Sequence, residues 1–289
     1  MKKSNPTQLK KALIVNAVLL VLAVVIAINL LVTGGKPVAE PEQALSAPEA
    51  QAASEPVVTP APTPEPTATP EPAPEKKTGT ETFSMRFVGD LMCCDGQMED
   101  ALQADGTYDF SRHFAQIQDE LRWADVLLGN FEACMYDGAP LNGSIVGFNA
   151  PPSYAEELKE IGFDVLFTSN NHGMDFLVEG AFQTAQKLRD MGFTALGTNL
   201  TKEAVDEIYI RDVRGVPVAI LAYTGSTNKY KLTLDGEDAK WTMNYYSAER
   251  LEKDGTAARA LGAKVIVMYL HEGTEKEDEP SRRQLAAAN

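Results

Sequence analysis

The chain has 289 residues, 44% of them hydrophobic, with a formal net charge of −15 at pH 7 and an isoelectric point near 4.7. That acidity argues against a nucleic-acid partner, which needs clustered Lys and Arg to neutralise phosphates, and disfavours broad adhesion to anionic lipid. Cys93, Cys94 and Cys134 are too few for a disulfide framework and lack the CxxC spacing of a zinc site. A bridge from Cys134 to Cys93 or Cys94 and a set of buried free thiols are equal alternatives.

In chain order, residues 1–11 carry Lys2, Lys3, Lys10 and Lys11 and read as a cytoplasmic tail. Residues 12–32 are uncharged and apolar, long enough for a membrane-spanning helix of about twenty residues. Only Lys36 follows closely, so the positive-inside rule places the N-terminus in the cytoplasm and the remainder outside. An uncleaved signal anchor is expected, since a cleaved signal peptide has a shorter apolar region of about 7–15 residues. Cleavage after Ala39 is the rival reading. Residues 33–81 are rich in Pro, Ala, Glu and Thr, with near-repeats such as TPEPTATPEPAPE. Proline removes backbone donors, and nothing there offsets the entropy of ordering, so a disordered, semi-rigid stalk is expected. At about 3.1 Å per residue it would reach on the order of 100 Å.

Residues 82–289 have a globular composition. Strands are predicted at 83–90, 125–132, 163–172, 193–199, 216–224 and 264–273, several as unbroken apolar runs typical of strands buried on both faces. Helices are predicted at 110–124, where Phe114, Ile117 and Leu121 share a face, and at 153–161, 177–191 and 248–261. Gly192 and Gly262 fall where helix C-caps would lie. The alternation specifies an α/β domain.

Polar residues gather at the predicted carboxyl ends of the strands: Asp90 after the first, Asn130 and Glu132 after the second, Asn170, Asn171 and His172 after the third, and His271 and Glu272 after the last. Ligands of open α/β sheets bind at such ends, and these are oxygen and imidazole donors suited to divalent ions. Singly, each has a structural alternative, Asp90 as a helix cap and the asparagines as turn residues; their shared placement points to a site. His113 has no such company and reads as a surface residue.

The segments GDLM (89–92), NFE (130–132), FNAPPSYAEELKEIGFDVLFTSNNHGMDFLVEG (148–180), GTN (197–199) and HEGTE (271–275) together resemble the CapA family. These are capsule and poly-γ-glutamate synthesis accessory proteins of the calcineurin-like metallophosphoesterase superfamily. The resemblance implies a four-layer α-β-β-α sandwich with a metal site at one sheet edge. It implies metal ligation by Asp90, Glu132, Asn171 and His271, with Glu132 as a bridge between two ions, and proton transfer by His172 as the catalytic residue. The implied cofactor is divalent Mn, Fe or Zn.

Three departures stand out. Met92 occupies a position where the superfamily often has a histidine ligand, and Glu272 one that is more often aromatic. The chain also stops at Asn289, before a further strand and a last histidine motif that the resemblance implies, so a C-terminally truncated domain with an incomplete metal site is expected. Two functions are therefore expected. One is a membrane-anchored hydrolase of phosphoesters or surface-polymer linkages, acting in capsule or poly-γ-glutamate biosynthesis. The other is a non-catalytic accessory protein that partners an anionic surface polymer or its synthase complex.

Overall fold

The computed structural model describes residues 82–228 and 237–288. The expected span at 12–32 and stalk at 33–81 lie outside the described residues, among which no helix is long and apolar enough to cross a membrane.

Among the described residues, seven strands form two sheets. The first is wholly parallel, in the order β1 (Met85–Leu91), β2 (Val126–Phe131), β3 (Val165–Phe167), β4 (Thr194–Leu196). The second has the order β5 (Ile210–Val213), β6 (Val216–Thr224), β7 (Val265–His271), with β5 antiparallel and β7 parallel to β6. The helices are α1 (Asp95–Ala101), α2 (Ser111–Phe114), α3 (Gln118–Leu121), α4 (Pro152–Ile161), α5 (Leu177–Asp190), α6 (Ala239–Thr242), α7 (Ala248–Ala260) and α8 (Arg282–Ala288).

Strand alternation sorts the apolar residues into layers. Val126, Leu128, Val165 and Phe167 of the first sheet pack against Val218, Ile220 and Ala222 of the second, and Phe167 stacks on Tyr269 with centroids 4.1 Å apart. Leu127, Phe131 and Leu166 turn the other way, onto Met98 of α1, Tyr154 and Leu158 of α4, and Leu188 of α5. The outer face of the second sheet, through Ala219 and Ile266, is covered by Ala258 of α7. The order is thus helix, sheet, sheet, helix. Leu158 is fully buried in the largest of these clusters. Leu158→Ala should destabilise the domain by about 2–5 kcal/mol in urea denaturation, the transfer and cavity terms adding.

The helix ends follow the sequence, with Gly192 and Gly262 left-handed at φ 82° and 94°. Two expectations need correction. The stretch 110–124 is not one helix: it breaks at 115–117 into α2 and α3, so that Phe114 and Leu121 are buried while Ile117 stays 47% exposed. The sequence reading also missed β5, whose charged IRDV pattern lacks a buried-strand signature. The strand is fixed by a two-residue turn: Val213 pairs with Val216, and Arg214 and Gly215 both have positive φ (53° and 85°), the geometry of a tight hairpin.

Candidate functional site

The carboxyl ends of β1, β2, β3 and β7 converge at one edge of the sandwich. On β2, Val126 and Leu128 face the second sheet, so period-two alternation sends Asn130 and Glu132 there too. On β7, Val265, Val267 and Tyr269 face the same gap, which brings His271 into it. In β1, Val88 and Leu91 both pack on the helical side although three residues apart. The register slips between Phe87 and Asp90, and this bulge turns Asp90 towards Glu132.

Asp90, Glu132 and His271 each offer a ligand atom, all within 4.8 Å of one another. The buried Asn130 lies among them. Its amide nitrogen donates to Asp90 Oδ1 (2.8 Å) and Glu132 Oε2 (3.0 Å) and lies 3.2 Å from His271 Nδ1. Asn170 fixes that amide by donating to Asn130 Oδ1 (3.0 Å) and to the Phe131 carbonyl (2.9 Å). His271 Nε2 lies 2.9 Å from Asn171 Oδ1. An amide oxygen only accepts, so Nε2 carries the proton, and the Nδ1 lone pair faces the two carboxylates.

Burial, and then the neighbouring Asp90 carboxylate, push Glu132 up to about 8. Burial pushes His271 below its ordinary range, against the pull of Asp90, which keeps the imidazole neutral. Two carboxylates and a neutral imidazole, with no thiolate among them, fit a divalent ion. Asp90, its side chain half exposed, opens this cluster to the cleft.

His172 is buried beside the cluster. Its Nδ1 donates to Asp175 Oδ2 at 2.7 Å, and the same oxygen accepts the Phe148 amide at 2.9 Å. The Phe148 ring meets the imidazole edge-on at 4.6 Å. Asn171 and Asn228 join at 3.3 Å, and the Asn228 amide nitrogen lies 3.4 Å from the His172 ring. Gly173 is required here for space, because a Cβ would lie 2.6 Å from the Thr168 carbonyl oxygen. Phe148, Asn171, His172 and Asn228 line a cleft of about 710 Å³ that also receives Met92, Ile145 and Glu272.

Asp90, Glu132 and His271 are therefore brought together. Asn171 adjoins them through His271, on the side of the ring away from the carboxylates, and His172 lines the same cleft. Asn130 and Asn170 stood in the strand-end cluster of the sequence without an individual role, and Asp175 and Asn228 were not singled out there. The i,i+3 spacing of His172 and Asp175 was the available signal for one of them, and the even spacing of Asn130 and Glu132 for another. Asp175→Asn should lower any His172-dependent turnover by about 10–100-fold through loss of tautomer control, and should shift the pH–rate profile. Met92 lines the cleft, and Glu272 pairs with Arg283 at 3.4 Å. His113 is not a surface residue: its side chain is 16% exposed, packed on Phe110 and 3.6 Å from Asp100. All three cysteines are free, and the Cys134 sulfur faces the carbonyls of His172 and Gly173.

Residues 84–289 match the family model described as bacterial capsule synthesis protein PGA_cap. The chain belongs to this capsule synthesis family. Among its relatives, the "Capsule biosynthesis protein CapA" of Bacillus anthracis is 26% identical over 223 residues, 75% of this chain and 53% of the relative. The "PGA biosynthesis protein CapA" of Bacillus subtilis strain 168 is 25% identical over 227 residues, 74% of this chain and 56% of the relative. The chain thus spans about half the length of the curated relatives it matches. Among solved structures, the calcineurin-like phosphoesterase YfkN from Bacillus subtilis overlays 70% of this chain and 65% of its own, at 17% identity and a TM-score of 0.38.

Proposed function

We propose that this member of the capsule synthesis family is a metal-dependent hydrolase of the metallophosphoesterase type. It acts on a phosphoester or surface-polymer linkage in capsule or poly-γ-glutamate biosynthesis, anchored in the cytoplasmic membrane by residues 12–32 with its main domain outside. One observation carries the catalytic reading: the Asp90, Glu132 and His271 ligand atoms sit within 4.8 Å of one another in the cleft that His172 also lines. Those three residues would hold a divalent ion, with Asn171 beside them. A bound ion supplies Lewis-acid polarisation of the scissile group and a water nucleophile at neutral pH.

The chain's own residues do the rest. Asp175 holds the proton on His172 Nδ1, which leaves Nε2 to exchange a proton with the reacting group. Asn228 steadies the ring, and Phe148 keeps water off its edge. The experiment is hydrolysis of an aryl phosphoester by the Mn-loaded full chain. His172→Ala should cut turnover by about 10²–10⁴ with metal content unchanged. Equal turnover by both proteins would remove His172 from the mechanism.

A second reading, a non-catalytic accessory protein of a polymer synthase and export complex, has its own support. The Asn130 amide already serves all three candidate ligands, and Met92 adds no donor to the set. A folded protein that binds no metal and co-purifies with membrane synthase subunits would favour it.

A further inference from the structure

A second cavity, of about 350 Å³, opens at the free edge of β4, and no residue lines both it and the cleft. Phe193, Leu196 and Ile220 line it with apolar side chains, and Arg189, Glu207, Arg250 and Asp254 bring charge to it.

The ladder of β6 is interrupted there. Odd-numbered residues of β6 point their backbone groups towards β7, as the Lys264 N–H to Pro217 carbonyl bond (2.8 Å) and the Gly225 N–H to His271 carbonyl bond (2.9 Å) show. Even-numbered residues point the other way. At one end the Ile220 N–H reaches the Tyr209 carbonyl (3.1 Å), and at the other the Thr224 N–H reaches the Asn244 carbonyl (2.9 Å). Ala222 lies between them. Its N–H and C=O point to the same side by alternation, into the gap, with no partner among the described residues, and the residue is only 3% exposed. A buried donor and acceptor side by side with no partner are a strong demand for a polar occupant.

A second polar group lines the same cavity. Asp254 is 3% exposed, yet both of its hydrogen bonds, from Tyr223 Oη (2.7 Å) and Arg250 Nε (2.6 Å), end on Oδ2, which leaves Oδ1 to the cavity. Arg189, which also lines the cavity, donates through Nη2 to the carbonyls of Ala195 (3.3 Å) and Thr198 (3.2 Å), which leaves its other nitrogens without a hydrogen bond to the described residues.

We infer that this cavity is a second ligand site, for a small molecule that carries an amide and a carboxylate, of the N-acyl amino acid class. The ligand amide N–H donates to the Ala222 carbonyl, and the ligand carboxylate accepts the Ala222 N–H and pairs with Arg189. Asp254 Oδ1 accepts a further N–H or O–H. The volume lies in the range of small-molecule sites, about 300–1,000 Å³.

N-acetyl-L-glutamate is the probe, titrated by calorimetry into the purified full chain. Saturable binding below about 10 mM is expected, weakened at least about tenfold by Arg189→Ala, which removes a charge-assisted bond. Ala204→Trp fills the cavity from its partly exposed wall and should abolish binding without touching the core. Asp90→Ala, in the cleft, should leave binding unchanged, which separates this site from the proposed catalytic one. Absence of binding to the wild type, or binding that survives Ala204→Trp in a protein with native circular dichroism, would overturn the assignment and leave the gap to ordered water.

Discussion

Replacing Glu132 by glutamine should leave the metal-free protein about as stable as the wild type near pH 5 and make it the more stable of the two, by several kcal/mol, near pH 9. Burial and Asp90 raise Glu132 from 4.5 to about 8 in the folded chain. Between those values the folded state holds a proton that the unfolded state has lost. Stability is therefore fully present below the unfolded value and falls as pH rises through the folded one, by up to about 1.4 kcal/mol per pH unit. Glutamine mimics the protonated acid: its nitrogen can donate to Asp90 and its oxygen can accept from Asn130, with nothing left to titrate. Urea denaturation in the presence of a chelator, repeated from about pH 5 to about pH 9, reads the difference directly. Parallel stability curves for the two proteins would show that Glu132 is an ordinary carboxylate.

Asp90→Ala and His271→Ala should each weaken binding of Mn or Zn by more than about 100-fold, since loss of outer-shell partners alone reaches about 10–100-fold. The wild-type affinity should rise about tenfold per pH unit up to about pH 8, because Glu132 must release its proton before it can ligate. Calorimetry in two buffers of different ionisation enthalpy would count that proton. His172→Ala should leave metal affinity nearly intact, because His172 belongs to the Asp175 pair and lies outside the three-atom cluster.

Most of the sandwich was legible because its strands are apolar runs bounded by glycine and polar turns, and two helices end on left-handed Gly192 and Gly262. What escaped depended on contacts distant in sequence. The strand β5 is held by a hairpin turn and by pairing with β6, and its own IRDV segment is not apolar enough to declare it. The helical pattern at 110–124 was sound for Phe114 and Leu121, but its middle gives way where no core receives Ile117.

For the site, the sequence put Asp90, Glu132 and His271 at strand ends, and the convergence of β1, β2 and β7 brings their ligand atoms together. The role of Asn130 could not be read, because it depends on two sheets meeting so that a residue of β2 faces one of β7, 141 positions away. Asp175 was closer to legible, three residues after His172, though only the turn geometry reveals that the two side chains meet.

The most direct test of the proposed metal centre is elemental analysis of the purified full chain after loading with Mn, Fe or Zn and removal of free metal. About one or two ions per chain are expected, lost together in Asp90→Ala and His271→Ala. A folded protein that retains none would contradict the proposed centre and leave the cluster as a hydrogen-bonded network centred on Asn130.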